Sequence, residues 1–404
     1  MSNSISDRDI VILAGARTPF GNLGGELAAL TATDLAAAAG TEAIRRSGVP
    51  ADRIDEVVFG NVIQSSADAI YLARHAGLRS GVPIGVPALT VNRLCGSGLQ
   101  AILSAAASLT LGNATYALAG GTENMSQAPH VVRGVRKGFS LGQAVAFEDS
   151  LWTALTDSYG NTPMAITAEN LAKQYGVSRE ESDEFALASQ ERALAAQSDG
   201  YFAEEIVAVE VPAARGATAR VEKDEGPRAG LTLEKLGRLP ARFVKDGVVT
   251  PGNASGITDG AAAVVLTTVQ QARADGLAWM GRLVASSVVG VDPSIMGIGP
   301  AFAIPKALER AGINRRELAV MEINEAFAPQ VLACLREMGE DKNVADGRLN
   351  PHGGAIALGH PLGASGARLA ITALHELRRR GGGFGIASAC IGGGQGIAAL
   401  FSAE

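Results

Sequence analysis

The chain has 404 residues, 47% hydrophobic and 19% charged, with a formal net charge of −6. That length fits two or three domains, and that hydrophobic content fits a large core. The acidic balance lacks the basic face that nucleic-acid binding requires, and no run of about 20 apolar residues predicts a membrane span. Three cysteines, Cys95, Cys334 and Cys390, are too few and odd in number for a disulfide framework and fit a reducing compartment. The polar stretch Met1 to Asp9 reads as no secretory signal.

In chain order, strands and helices alternate. Ile10 to Ala14 predicts a strand, and Asp34 predicts the cap of a helix running to Arg46 and ending at Gly48. Strands follow at Val57–Phe59 and Ala88–Val91, then a helix at Ala101–Leu111 and a strand at Tyr116–Ala119. The stretch from about Gln127 to Thr250 is more polar and irregular. It carries the basic residues Arg133, Arg136 and Lys137 and helices around Met164–Tyr175 and Arg179–Gln197. The earlier grammar then returns: a strand at Leu283–Val289, a helix at Ala301–Arg310 ending at Gly312, and a strand at Val320–Ile323. A helix at Ser365–Arg380 and a strand at Phe384–Ala389 complete it.

Three landmarks share an offset. Gly48 and Gly312 end helices 264 residues apart, Val58 and Glu322 lie in strands 264 apart, and Cys95 and His360 precede helices 265 apart. This predicts an internal duplication, two α/β halves packed together. The expected divisions are 1–126 with 251–275, an insertion at 127–250, and 276–404.

Four segments carry candidate chemistry. Cys95 sits in Leu94-Cys95-Gly96-Ser97-Gly98, between an apolar strand and an apolar helix, where a helix N-terminus is expected to lower a thiol pKa and create a nucleophile. A free cysteine is by default a small buried hydrophobe, the reading adopted for Cys334. His360, in Gly359-His360-Pro361, occupies the second half's version of that elbow, with an imidazole suited to taking a thiol proton. Cys390 precedes Gly392-Gly393-Gly394, whose amides suit an oxyanion. Asn324 follows a strand; alone it reads as a helix cap, and beside the others as an amide presented to one crevice.

Together with Ala16-Arg17-Thr18-Pro19-Phe20 and Gly252-Asn253-Ala254-Ser255-Gly256, these segments resemble the thiolase family over nearly the whole chain. The resemblance implies a thiolase-like α/β fold of two pseudo-symmetric α/β/α halves, five-layered, with an inserted loop domain, assembled as a homodimer or homotetramer. It implies an acetyl-CoA C-acyltransferase that cleaves 3-ketoacyl-CoA with CoA and runs in reverse as a Claisen condensation. Cys95 matches the nucleophile, His360 its base, Cys390 the second cysteine that moves the α-proton, and Asn324 the residue holding a catalytic water. The amides of Cys95 and Gly392 match the oxyanion site, Ser255 a pantetheine contact, and Arg228 a residue near the nucleotide of CoA. CoA thioesters are the expected partners. CoA acts as co-substrate, with no permanent cofactor and no metal.

Ser65–His75, Asp292–Pro300 and Pro163–Asn170 resemble the mitochondrial-type, degradative 3-ketoacyl-CoA thiolases. Biosynthetic acetoacetyl-CoA thiolases, the alternative, commonly carry histidine where this chain has Pro163. The expected location is the cytoplasm, or the mitochondrial matrix in a eukaryote. One departure stands out: Pro351-His352 replaces the family's frequent Val-Asn, so His352 is either a turn residue or a support for the active-site loop. Two rivals remain open. A decarboxylating 3-ketoacyl synthase shares the fold but uses a Cys-His-His set, and an idle CoA-binding subunit would form no acyl-enzyme.

Overall fold

A computed structural model describes residues 5–340 and 347–404; Met1 to Ser4, part of the N-terminal stretch read above, lie outside the described residues. The first half runs β1 (Ile10–Arg17), α1 (Ala32–Ser47), β2 (Glu56–Gly60), α2 (Leu72–Arg79), β3 (Ala88–Val91), α3 (Ser97–Thr110) and β4 (Ala117–Glu123). After the polar segment, which contains α4 (Met164–Tyr175) and α5 (Arg179–Ser198), β5 (Thr258–Thr268) closes its sheet. The second half runs β6 (Gly281–Gly290), α6 (Gly299–Ala311), β7 (Leu318–Ile323), α7 (Ala328–Glu337), α8 (Leu362–Arg379), β8 (Gly383–Ile391) and β9 (Gln395–Ala403).

The sheet order exposes the duplication. The strands lie β7-β8-β9-β6-β1-β5-β4-β2-β3. Reading outward from the middle, β1-β5-β4-β2 and β6-β9-β8-β7 repeat one pattern: two antiparallel pairings, then one parallel. The halves join where β1 and β6 pair over only three residues, Ile10–Ile12 against Gly281–Leu283. α1 and α6, which correspond in the repeat, both end in a left-handed glycine, Gly48 at φ 73° and Gly312 at φ 67°. Only glycine adopts that conformation without a Cβ penalty.

Asp34 is not the cap of α1. Thr31 is the N-cap, its side chain accepting the Asp34 N–H while Asp34 returns to the Thr31 N–H. The Thr-x-x-Asp spacing forms a capping box, so the acid belongs to the first turn instead.

α3 and α8 lie between the two sets of strands. Their apolar side chains share one core with residues of β1, β4, β5, β8 and β9. α1 covers the outer face of the first half, and α6 with α7 covers that of the second, which completes five layers. The central helices meet at backbone distance. A Cβ on Gly98 would stand 2.5 Å from the Ala367 nitrogen, and one on Gly366 would stand 2.4 Å from the Leu99 nitrogen. Both helices therefore start earlier than expected, at Ser97 rather than Ala101 and at Leu362 rather than Ser365. Their early glycines, poor helix formers, serve the crossing.

Arg17, at the end of β1, ties the polar middle segment to the core. Its buried guanidinium bonds Glu205 at 2.8 Å and Asp224 at 2.7 and 2.9 Å, and lies over the ring of Phe202. The basic run is solvent-facing, with Arg133 paired to Glu148 at 2.6 Å. No helix among the described residues is long and apolar enough to cross a membrane.

Candidate active site

The Cys95 loop is wound by its own hydrogen bonds. Ser97 Oγ accepts the Arg93 N–H at 2.8 Å and donates to the Leu94 carbonyl at 2.7 Å, while Leu94 adopts φ 45°. A leucine in the left-handed region is strained, and such strain concentrates at functional sites. Arg93 reaches across to Gln395 at 2.7 Å, fastening this loop to the Gly392–Gly394 turn between β8 and β9. The Gly392 amide lies near enough to the Cys95 sulfur to favour its thiolate.

The resting thiol is raised rather than lowered, contrary to expectation. Burial dominates and pushes Cys95 up to about 11, against the opposing amide bonds of Gly392 and Cys95 itself. The surrounding Ile63, Met125 and Leu362 desolvate the sulfur. Cys390 is fully buried at the end of β8 and raised further, by burial and by the neighbouring Cys95. Cys334 is a core thiol on α7 donating to the Gly297 carbonyl at 3.2 Å, as expected.

His360 is buried, and burial followed by the Arg368 charge lowers it to about 3, so the imidazole is neutral at physiological pH. Its neighbours favour one tautomer. With the Ser365 hydroxyl donating to the Pro361 carbonyl at 3.0 Å, Ser365 Oγ accepts from His360 Nδ1 at 2.5 Å. Nε2 is then unprotonated and accepts from Asn324 Nδ2 at 3.3 Å. The structure thus presents a basic Nε2 held in orientation from both sides.

His360 lines a cavity of about 320 Å³ whose other walls are chiefly apolar, among them Met125, Leu155, Pro163, Met164 and Phe327. Cys95 packs on the Met125 and Leu362 side of this wall, and Cys390 packs with Met164 and Phe327. Ser255 lines the same cavity, its N–H donating to the Ala326 carbonyl at 3.0 Å, and the His360 N–H donates to the Gly256 carbonyl at 3.0 Å. Arg228 lies apart. It lines an adjoining cleft that shares only Ala254 and Gly256 with the first.

A family model for the N-terminal domain of thiolase matches residues 10–270, and one for the C-terminal domain matches residues 277–403. The chain belongs to the thiolase family of acyltransferases. It is 50% identical over 393 residues to the human mitochondrial 3-ketoacyl-CoA thiolase, covering 97% of this chain and 98% of that protein. It is 46% identical over 391 residues to an acetyl-CoA acetyltransferase of Pseudomonas aeruginosa, with 97% and 98% covered. The crystal structure of the human mitochondrial thiolase in complex with CoA matches with a TM-score of 0.94 at 49% identity, covering 98% of each chain.

Within this thiolase, His352 is more than a turn residue. Its Nε2 lies 2.8 Å from Glu376 Oε2 on α8, and its ring stacks on Tyr201 with centroids 3.5 Å apart. It pins the Asn350–Gly354 turn that leads to His360. The same turn is held by Glu325, which accepts from Asn350, Ser189 and the Ile356 N–H. Sequence reasoning missed Ser365, Arg368 and Glu123. Ser365, five residues after His360, had a local signal. Glu123 had none, because its partners lie far away in the chain.

Proposed function

We propose that this thiolase cleaves 3-ketoacyl-CoA with CoA, giving acetyl-CoA and a shortened acyl-CoA through a Cys95 acyl-enzyme. The observation that carries this reading is the neutral His360, with Nε2 directed by Asn324, in an apolar cavity flanked by two thiols from opposite halves. A half-buried thiol that resists ionisation needs a base at the moment of attack, and a neutral imidazole supplies one.

In this mechanism the Cys95 thiol gives its proton to His360 Nε2 as the sulfur attacks the C3 keto carbon. The resulting oxyanion lies against the amides of Cys95 and Gly392. The C2–C3 bond then breaks, and acetyl-CoA departs as an enolate that takes a proton at C2 from Cys390. Cys390, now a thiolate, takes the CoA thiol proton as the CoA sulfur attacks the acyl carbon, and Cys95 leaves as the thiolate and recovers its proton from His360. His360 and the water held by Asn324 polarise the thioester carbonyl of the acetyl-CoA unit. Ser255 contacts pantetheine and Arg228 the nucleotide, which agrees with Arg228 lining an adjoining cleft rather than the reaction cavity. Condensation is the same path in reverse. The division into 1–126 with 251–275, 127–250 and 276–404, and assembly as a dimer or tetramer, belong to the same reading.

Pro163 and the apolar lining favour the degradative subtype, because no imidazole at that position closes the acyl space. Two measurements test the proposal. Acetyl-CoA should add one acetyl group at Cys95, located by peptide mass spectrometry, and none in Cys95→Ala. Thiolysis across a chain-length series should hold level or rise beyond the four-carbon substrate, since each buried methylene contributes about 0.8 kcal/mol. A sharp fall after acetoacetyl-CoA would assign the chain to the biosynthetic alternative.

A further inference from the structure

Glu123, the last residue of β4, is fully buried and has no part in the mechanism above. Its carboxylate nevertheless receives four hydrogen bonds. Oε1 accepts from Asn61 Nδ2 at 2.9 Å and from the Ile63 N–H at 2.9 Å. Oε2 accepts from the Val62 N–H at 3.1 Å and from the Gly363 N–H at 2.9 Å. Burial pushes the Glu123 carboxyl up to about 8 against the N–H bonds of Ile63, Gly363 and Val62, but four donors converging on the two oxygens with no acceptor for a carboxyl hydrogen favour the ionised form.

The donors come from two segments that meet at the reaction cavity. Val62 and Ile63 belong to the apolar group that packs on Cys95, and so does Leu362, the neighbour of Gly363. Gly363 is the second residue of α8, three positions after His360. Its own freedom is small, since a Cβ there would stand 2.3 Å from the Thr122 carbonyl oxygen and 2.8 Å from that of Gly60. The bare backbone of α8 is thus pressed onto the ends of β2 and β4, and one carboxylate fastens it to the loop beyond β2.

We propose that Glu123 is a positioning residue for the thiolase reaction: it sets the Cys95 wall and the His360 helix in register with each other. It touches no reacting group: it acts on them through Ile63, Leu362 and Gly363, and through its charge it raises the Cys95 thiol slightly. The proposal rests on the Cys95 and His360 roles given above. A misplacement of about 1 Å at a reacting centre costs on the order of 10²-fold in rate, so a clamp of this kind is felt in turnover.

The test compares the full-length wild type with Glu123→Gln and Glu123→Asp, assayed below their melting midpoints. A glutamine keeps the size but turns an N–H₂ group toward two of the four donors. Expected is a kcat for thiolysis lowered about 10²-fold, with KM for CoA within about threefold of wild type, because the CoA-contacting surface is untouched. Cys95 should still react with iodoacetamide at least as fast as in the wild type, since a nearby negative charge has gone. Reactivity kept while turnover collapses is the signature of lost register. A folded Glu123→Gln with kcat within about threefold of wild type would overturn the proposal, and so would equal losses in kcat and alkylation. Should that variant not fold, Asn61→Ala removes one donor and leaves the carboxylate. It should lower kcat about tenfold at unchanged KM, and an unchanged kcat would overturn the proposal. If the wild type itself takes no acetyl group at Cys95, the cysteine mechanism falls, and this inference with it.

Discussion

Ser365 Oγ sits 2.5 Å from His360 Nδ1 and spends its hydrogen on the Pro361 carbonyl, so the serine acts on the histidine purely as an acceptor. This favours the Nδ1–H tautomer and leaves Nε2 an acceptor, which exchanges the Asn324 amide at 3.3 Å for the thiol proton when it acts as a base. In Ser365→Ala the ring loses that partner and exchanges tautomers. We expect kcat to fall about 10²-fold, the lower end of general-base effects, with little change in the KM for CoA. Ser365→Thr, which retains the hydroxyl, should recover most of the rate. Equal activity in the alanine and wild-type proteins would remove the serine from the mechanism.

Cys390→Ala separates the two thiols. Transfer of an acetyl group from acetyl-CoA to Cys95 needs no α-proton, so labelling should survive. Carbon–carbon bond formation should drop by about 10²–10⁴-fold, the range for a lost acid–base group. A variant that condenses acetyl-CoA at the normal rate would make Cys390 structural.

The pH dependence of Cys95 alkylation follows from its raised pKa of about 11. A raised thiol is mostly protonated at neutral pH, and its thiolate fraction grows with each pH unit until that value is reached. Iodoacetamide inactivation of the free enzyme should therefore still be accelerating at pH 9.5. A plateau near pH 7 would mean a thiolate formed in advance, as the helix N-terminus alone would have produced.

Gly98→Ala places a methyl group against the Ala367 nitrogen. Overpacking of a tight contact costs roughly 1–3 kcal/mol, more where backbone must yield. We expect a lower melting midpoint together with slower Cys95 acetylation, because the crossing carries both catalytic elbows. Gly85→Ala, where no atom lies within 4 Å of the new Cβ, is the neutral control. Equal midpoints for the two variants would refute the crossing's role.

The sequence made Cys95, His360 and Cys390 visible because each lies beside a glycine-rich turn at the end of a strand or the start of a helix, and Asn324 because it directly follows a strand; both are local features. The repeat was legible through Gly48 and Gly312, since a left-handed helix end demands glycine. The helix starts at Ser97 and Leu362 were hidden, because glycines that look like breakers are needed at a crossing only the tertiary fold reveals. The thiol pKa was misjudged for a related reason. A helix end is readable from local order, whereas desolvation by Ile63, Met125 and Leu362 depends on residues brought from three distant segments. Arg228 is one position in a surface segment, and nothing local told that it faces an adjoining cleft.

The backbone contact between α3 and α8 also bears on how the chain is made. α3 ends at Thr110, yet the helix that covers its inner side begins at Leu362. Ribosomes add roughly 5–20 residues per second, so the first elbow waits on the order of tens of seconds for its cover. During that interval an apolar helix bearing Gly98, Leu99 and Ile102 stands open to other nascent chains and to oxidants. Chaperone occupancy during synthesis should accordingly rise once α3 has emerged and fall only when Gly363 and Gly366 leave the exit tunnel.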